Sequence, residues 1–173
     1  PRTDPATLTH SLSDSDIETS FQKIGAEFGP AFRLLSNVRI GERVATGRIN
    51  LPSHLLHAAH CIHPSLLDAG LQLCSLMARN SDTAWLPVAV RTAILPAHTS
   101  LFSLTAEARL QESNDTDGLL ADVIFRNEAG DTVATLEGVR FTPASRQALA
   151  ASLATPVELY TTDWHPIELQ SAK

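Results

Sequence analysis

Hydrophobic positions follow two rhythms along the chain. Ile17, Phe21, Ile24 and Phe28 recur at spacings of four, three and four, which places them on one face of a helix that Gly29-Pro30 should stop. Ser15 and Glu18 fit a capping box at its start, the serine oxygen accepting a backbone N–H and the glutamate reaching back. From Leu34 to Leu51 the period becomes two: Val38, Ile40, Val44 and Ile49 stand among polar residues, and Gly41-Glu42 predicts the turn of a hairpin. A second helix is predicted from about Pro64 to Arg79, with proline in the first turn, where its missing N–H costs nothing. Leu67, Leu71, Cys74 and Ala78 form one stripe of this helix, and Leu66, Gly70, Leu73 and Met77 form another, so it should be buried on most sides. After Trp85 come four strand-like runs, at about 87–96, 101–111, 119–127 and 131–142. The glycine-containing turn Asn127 to Asp131 joins the last two.

This order predicts an α+β domain in which an antiparallel sheet packs against a buried helix, most simply by wrapping around it. Residues 1–14, rich in Pro, Ser, Thr and Asp without sustained periodicity, read as an entry linker. The folded unit is expected over 15–144. Residues 145–173 read as an exit linker with an alanine-rich, helix-prone start, carrying Tyr160 and Trp164.

Composition narrows the possibilities. At 173 residues, 43% hydrophobic and 18% charged, the chain can bury one self-sufficient core without disulfides. Thirteen basic against nineteen acidic side chains give a net charge of −6 with no Lys/Arg cluster, which argues against nucleic acid as a partner. No apolar run approaches the ~20 residues needed to cross a bilayer, so no membrane partner is expected. Two cysteines, Cys61 and Cys74, supply no disulfide framework and favour a reduced, cytoplasmic setting. The start at Pro1, without an initiator methionine, suggests a processed or excised piece.

Several chemical signatures are missing: no glycine-rich phosphate loop, no G-x-S-x-G elbow and no H-E-x-x-H pair. Asn114-Asp115-Thr116 matches a glycosylation acceptor by letter but reads as a polar loop. His54, His57, His60 and His63 recur every three residues beside Cys61, a spacing that would let imidazoles share a zinc ion. Pro52 and Pro64 bracket the segment and no carboxylate within it orients the rings, so a loop is the expectation and no metal is assigned. More informative is His63-Pro64-Ser65-Leu66-Leu67-Asp68-Ala69-Gly70-Leu71-Gln72, where Asp68 and Gln72 lie four apart on one side of an apolar helix. Burial would raise the pKa of Asp68, whereas the positive end of the helix would favour its carboxylate. Spacing leaves that sign open, and leaves open whether Asp68 merely serves the helix dipole.

Phe28-Gly29-Pro30-Ala31-Phe32, then His63-Pro64-x-Leu66-Leu67-Asp68-x-x-x-Gln72, then Leu86-Pro87 and Arg91, together resemble the C-terminal hotdog half of dehydratase domains from modular polyketide synthases. The ending Leu159-Tyr160-x-x-Asp163-Trp164-x-Pro166 looks like the stretch that follows such domains. The resemblance implies half of a double hotdog, acting on a 3-hydroxyacyl thioester carried by the phosphopantetheine of an acyl carrier protein, with no cofactor of its own. It implies Asp68 as the acid that protonates the departing hydroxyl, Gln72 as its positioner, and a histidine of the other half as the base that takes the α-proton. It also implies a substrate channel shaped by Phe28, Gly29, Pro30, Phe32, His63, Leu86 and Pro87, with backbone N–H groups near the thioester carbonyl as oxyanion donors. The partners implied are the acyl carrier protein, the N-terminal hotdog half or a second copy of this one, and other synthase domains.

The chain departs from this pattern in three places. Phe28 stands where the family usually has tyrosine. The family's Leu-Pro-Phe-x-Trp block reads Leu86-Pro87-Val88-Ala89-Val90. The His-x-x-x-Gly-x-x-x-x-Pro block of the first hotdog is absent, since none of the seven histidines is followed by glycine four residues on. A dehydratase half, a non-catalytic scaffold, and a cyclase or isomerase on the same thioester therefore all remain open readings.

Overall fold

The computed structural model describes residues 7–55, 62–78, 83–96, 102–112, 118–145 and 147. Seven strands form one antiparallel sheet: β1 (Leu8–Leu12), β2 (Leu35–Gly41), β3 (Val44–Asn50), β4 (Thr83–Ile94), β5 (Ser103–Leu110), β6 (Leu119–Arg126) and β7 (Thr132–Ser145). Their spatial order is β1-β2-β3-β5-β6-β7-β4. Helix α1 (Asp14–Lys23) lies beside β1 and β2, and α2 (Pro64–Met77) packs on the middle of the sheet.

The expected α2 and hairpins form because pattern and turn chemistry agree. Residues Val44 to Asn50 pair in unbroken register with Arg109 to Ser103, so their alternate side chains Ala45, Ile49, Leu104, Ala106 and Ala108 are all buried. Of the two α2 stripes, Leu66, Gly70, Leu73 and Met77 are buried with Ala69 and Cys74, while Leu67 and Leu71 stay half-exposed. Gly70 is required by close approach, because a Cβ there would stand 2.4 Å from Cζ of the fully buried Phe125. At the β6–β7 turn, Asn127 N–H donates to the Asp131 carbonyl at 3.0 Å and Asp131 N–H to the Asn127 side chain at 2.8 Å.

Three expectations need correction. The 1–14 linker is wrong at Leu8–Leu12, which is edge strand β1, with Leu12 opposite Val38 and Ser11 opposite Arg39. Only its end residues Leu8 and Leu12 are partly buried, and the exposed Thr9, His10 and Ser11 between them hid the strand's period. The cap of α1 is Ser13 rather than Ser15. Ser13 Oγ accepts from Asp16 N–H at 3.2 Å and Asp16 Oδ2 accepts from Ser13 N–H at 2.9 Å, a capping box two residues early. Helix α1 also stops at Lys23 instead of running to Phe28. Gly25 takes φ 80°, and Ala26 and Gly25 N–H donate to the carbonyls of Phe21 and Gln22, a Schellman ending.

The strand bounds differ from the expectations by a few residues: β4 starts earlier, at Thr83, and ends at Ile94, β5 and β6 are slightly shorter than expected, and β7 runs on to Ser145. His57, His60, Cys61, His98, the Asn114-Asp115-Thr116 turn and almost all of the exit linker, with Tyr160 and Trp164, lie outside the described residues. Among the described residues no helix is long and apolar enough to cross a membrane.

Candidate active site

Helix α2 begins at the His63-Pro64 step. His63 is the N-cap, its Nδ1 accepting from Ser65 N–H at 3.2 Å, and Pro64 occupies the first turn. An accepting Nδ1 puts the proton of a neutral imidazole on Nε2. Asp68 comes after this first turn, past the reach of the helix-end charge, on the flank of α2 that meets the 3-10 turn Pro30–Phe32. Burial therefore decides its titration. Desolvation raises the Asp68 carboxyl above the usual 3.8, opposed by the hydrogen bond from Gln72.

Gln72 is 5% exposed and both of its amide protons are used. Nε2 donates to Asp68 Oδ2 at 2.7 Å and to the carbonyl of Phe32 at 3.0 Å. Two acceptors at one nitrogen fix the orientation of the amide. Gln72 thus engages the Oδ2 oxygen of Asp68.

Beside Gln72 opens a cavity of about 340 Å³ whose apolar wall includes Ile17, Phe21, Phe28, Phe32 and Leu35. Phe28 stacks edge-on against Phe21, ring centroids 4.9 Å apart at 84°. At the rim, Arg33 Nη1 meets Glu18 Oε1 at 3.0 Å, and Arg33 Nε donates to the Phe28 carbonyl at 2.6 Å. Gly29 caps the 3-10 turn, Pro30 is its first residue, and Phe32 N–H closes it on the Gly29 carbonyl at 2.9 Å.

The structure thus gathers Asp68, Gln72, Phe28, Gly29, Pro30 and Phe32 into one neighbourhood, with His63 at the head of the same helix. Leu86 and Pro87 stand apart, on edge strand β4 opposite Thr142 and Phe141. The adjoining Trp85 carbonyl accepts from Ser75 Oγ at 3.2 Å, so this end of β4 lies beside the C-terminal half of α2. Arg33 and the Phe32 carbonyl are the parts that sequence reasoning missed. The signal for Arg33 was present, as the sole long cationic side chain next to Gly29-Pro30; for a backbone carbonyl there is no signal.

Among the described residues no three His, Cys, Asp or Glu side chains converge on a possible metal position. His54 lies in the turn Ser53–Leu55, away from the His63 cap in the chain. Burial pushes the Cys74 thiol up to about 12, which makes it a core side chain rather than a nucleophile.

A family model described as the polyketide synthase dehydratase N-terminal domain matches residues 1–151. The chain belongs to the polyketide synthase dehydratase family. A phenolphthiocerol/phthiocerol polyketide synthase polypeptide of Mycobacterium tuberculosis (strain CDC 1551 / Oshkosh) is 26% identical over 168 residues, covering 92% of this chain and 9% of that protein. Highly reducing polyketide synthase ctvA of Aspergillus terreus is 25% identical over 169 residues, covering 95% and 7%. Among solved structures, the dehydratase domain from the CurK module of curacin polyketide synthase superposes with a TM-score of 0.72 at 23% identity, covering 84% of this chain and 52% of that one. The dehydratase domain of RzxB from Pseudomonas fluorescens gives 0.69 at 24% identity, covering 77% and 49%. At these identities the likeness is one of fold, and it is the hotdog fold. This dehydratase-family chain spans about half of each solved domain, and under a tenth of either curated relative.

Proposed function

We propose that this chain is the aspartate-bearing, C-terminal half of a dehydratase that eliminates water from a 3-hydroxyacyl thioester on an acyl carrier protein. The observation that carries the reading is the Asp68–Gln72 pair: a half-buried carboxyl held toward its protonated form, with one oxygen engaged by a fixed amide. Hydroxide is a poor leaving group unless it is protonated as the C–O bond breaks. A carboxylic acid with a raised pKa retains a proton to give nearer neutral pH, and the thioester makes the α-proton acidic enough for a histidine base. After elimination Asp68 is a carboxylate and the base holds the α-proton, so the two are reset by exchange with water.

No histidine of this chain sits in the base motif, and the base is assigned to the other half. Two CurK dehydratase structures are described as inactive mutants, one with an aspartate changed to asparagine and one with a histidine changed to phenylalanine. The family description names an N-terminal domain; the C-terminal reading rests on the Asp68–Gln72 helix and the missing His-x-x-x-Gly-x-x-x-x-Pro block. A missing half also suits β4, whose Val88, Val90 and Ile94 are 54%, 44% and 58% exposed on an outer strand. An apolar edge of this kind recruits another strand, supplied by the N-terminal half or by a second copy. Phe28 and Phe32 would wall the acyl chain in the adjoining cavity, Gly29 and Pro30 would shape its entrance, and the phosphopantetheine of the carrier would bring the substrate. The sparse cysteines favour a cytoplasmic synthase.

The test is Asp68→Asn in the intact synthase, with dehydrated and hydroxylated products measured by mass. Loss of a general acid should lower elimination by about 10²–10⁴-fold. Unchanged dehydrated product would discard the catalytic reading in favour of a scaffold that holds neighbouring domains or the carrier.

A further inference from the structure

The hydrogen bonds around the acid do not end at Gln72. They continue through the 3-10 turn to the surface of α1. Asp68 Oδ2 accepts from Gln72, Gln72 also donates to the Phe32 carbonyl, and Phe32 N–H donates to Gly29 O at 2.9 Å. The other side of the turn is held by Arg33, whose Nε donates to the Phe28 carbonyl at 2.6 Å while Nη1 pairs with Glu18 at 3.0 Å. Arg33 thus bonds to the carbonyl just before the turn and to helix α1, which lines the same cavity as Gln72.

We propose that Arg33 is a positioning residue for Asp68: its two-branched grip on Phe28 and Glu18 fixes the turn, and the Phe32 carbonyl in turn holds the Gln72 amide against the acid. A planar guanidinium can serve both partners at once because its N–H groups point in fixed directions. Its partners are unlike in kind. The Glu18 arm is an exposed ion pair of little intrinsic worth, whereas the Phe28 arm is a charge-assisted hydrogen bond to main chain.

Position matters here because Gln72 stabilises the charged form of Asp68, opposing burial. Any slack in the Phe32 carbonyl frees the amide to leave the carboxylate. Other charges near the path are Asp14, Glu18 and Glu27, which line the same cavity. The sheet under α2 presents apolar side chains at Ala45, Ile49, Ala106, Val123 and Phe125. The proposal takes its catalytic meaning from Asp68 as the acid, but its geometry can be tested without that reading.

The experiment follows the Asp68 carboxyl carbon by NMR titration in the full 173-residue chain, comparing wild type, Arg33→Met, Gln72→Met and the double variant. Arg33→Met should move the Asp68 midpoint upward, in the direction of Gln72→Met. In the double variant the midpoint should go no higher than with Gln72→Met alone, because both changes cut one path. An unmoved midpoint, or an Arg33 effect that is the same with and without Gln72, overturns the proposal. Glu18→Gln provides a second variant that leaves the guanidinium in place, and it should shift the midpoint the same way by less. In the intact synthase the alkaline limb of the elimination pH profile should move upward with Arg33→Met. Should Asp68→Asn leave elimination intact while the NMR coupling persists, the functional reading fails and the positioning path stands.

Discussion

Asp68 makes stability depend on pH in a direction opposite to that of an ion-paired carboxylate. Its folded carboxyl titrates above the unfolded value of 3.8. Between those two points the folded chain binds more protons than the unfolded one, so stability falls as pH rises through the window and the cost is complete above it. Asp68→Asn removes the charge and keeps an oxygen for Gln72. Its thermal midpoint should exceed that of wild type at pH 7, and the advantage should disappear below pH 3.8. Equal shifts at both pH values would mean that something other than proton uptake separates the two proteins. The spacing of Asp68 and Gln72 revealed that they share a side of a helix, because helical periodicity is a property of the chain itself. The contest between burial and helix dipole stayed open, since burial is set by the turn at Pro30–Phe32, some forty residues upstream of Gln72.

At the level of elements, α2 and the sheet are matched at Gly70. An alanine there gains about 1 kcal/mol of helix propensity, yet its Cβ would press on Phe125 and stand 2.9 Å from Val123. Phe125 is wholly buried and has no space to retreat into. Gly70→Ala is therefore expected to lower stability by a net of up to ~2 kcal/mol, the usual ~1–3 kcal/mol penalty of overpacking exceeding the gain at so close an approach. Urea denaturation measures it, and a more stable variant would show that the ring yields. Elements with strong periodicity and explicit turn chemistry, such as α2 and the β6–β7 hairpin, could be read from the sequence nearly to their ends. Helix α1 could not, because the capping-box letters favour Ser15 with Glu18, while the helix starts two residues earlier with Asp16 in the glutamate's place. Strand β1 was invisible for a different reason: an outer strand with Thr9, His10 and Ser11 exposed carries no alternation to detect.

For the molecule as a whole, the decisive fact is that β4 lies at the outside of the sheet, held there by β7. Val88→Lys with Val90→Lys should weaken association with the other half, or with a second copy, by ~10-fold or more, since each places a charge on a surface that must lose water. Sedimentation of the chain at several concentrations, or copurification of the two halves, measures this, and undiminished association would place the interface elsewhere. The antiparallel sheet around one helix could be foreseen from the order of periods, whereas the dehydratase family came from the resemblance of the motifs at residues 28–32 and 63–72 and at Leu86-Pro87. The order of strands could not, because consecutive strands usually neighbour one another and here β4 is separated from β5 by β6 and β7. That crossing also gives the domain a timetable during its own synthesis. Strand β4 leaves the ribosome before β7 has been made, and at ~5–20 residues per second the intervening stretch of roughly fifty residues takes several seconds. Throughout that interval a largely apolar strand, Thr83–Ile94, has no place to dock, which makes it a segment open to capture by a chaperone.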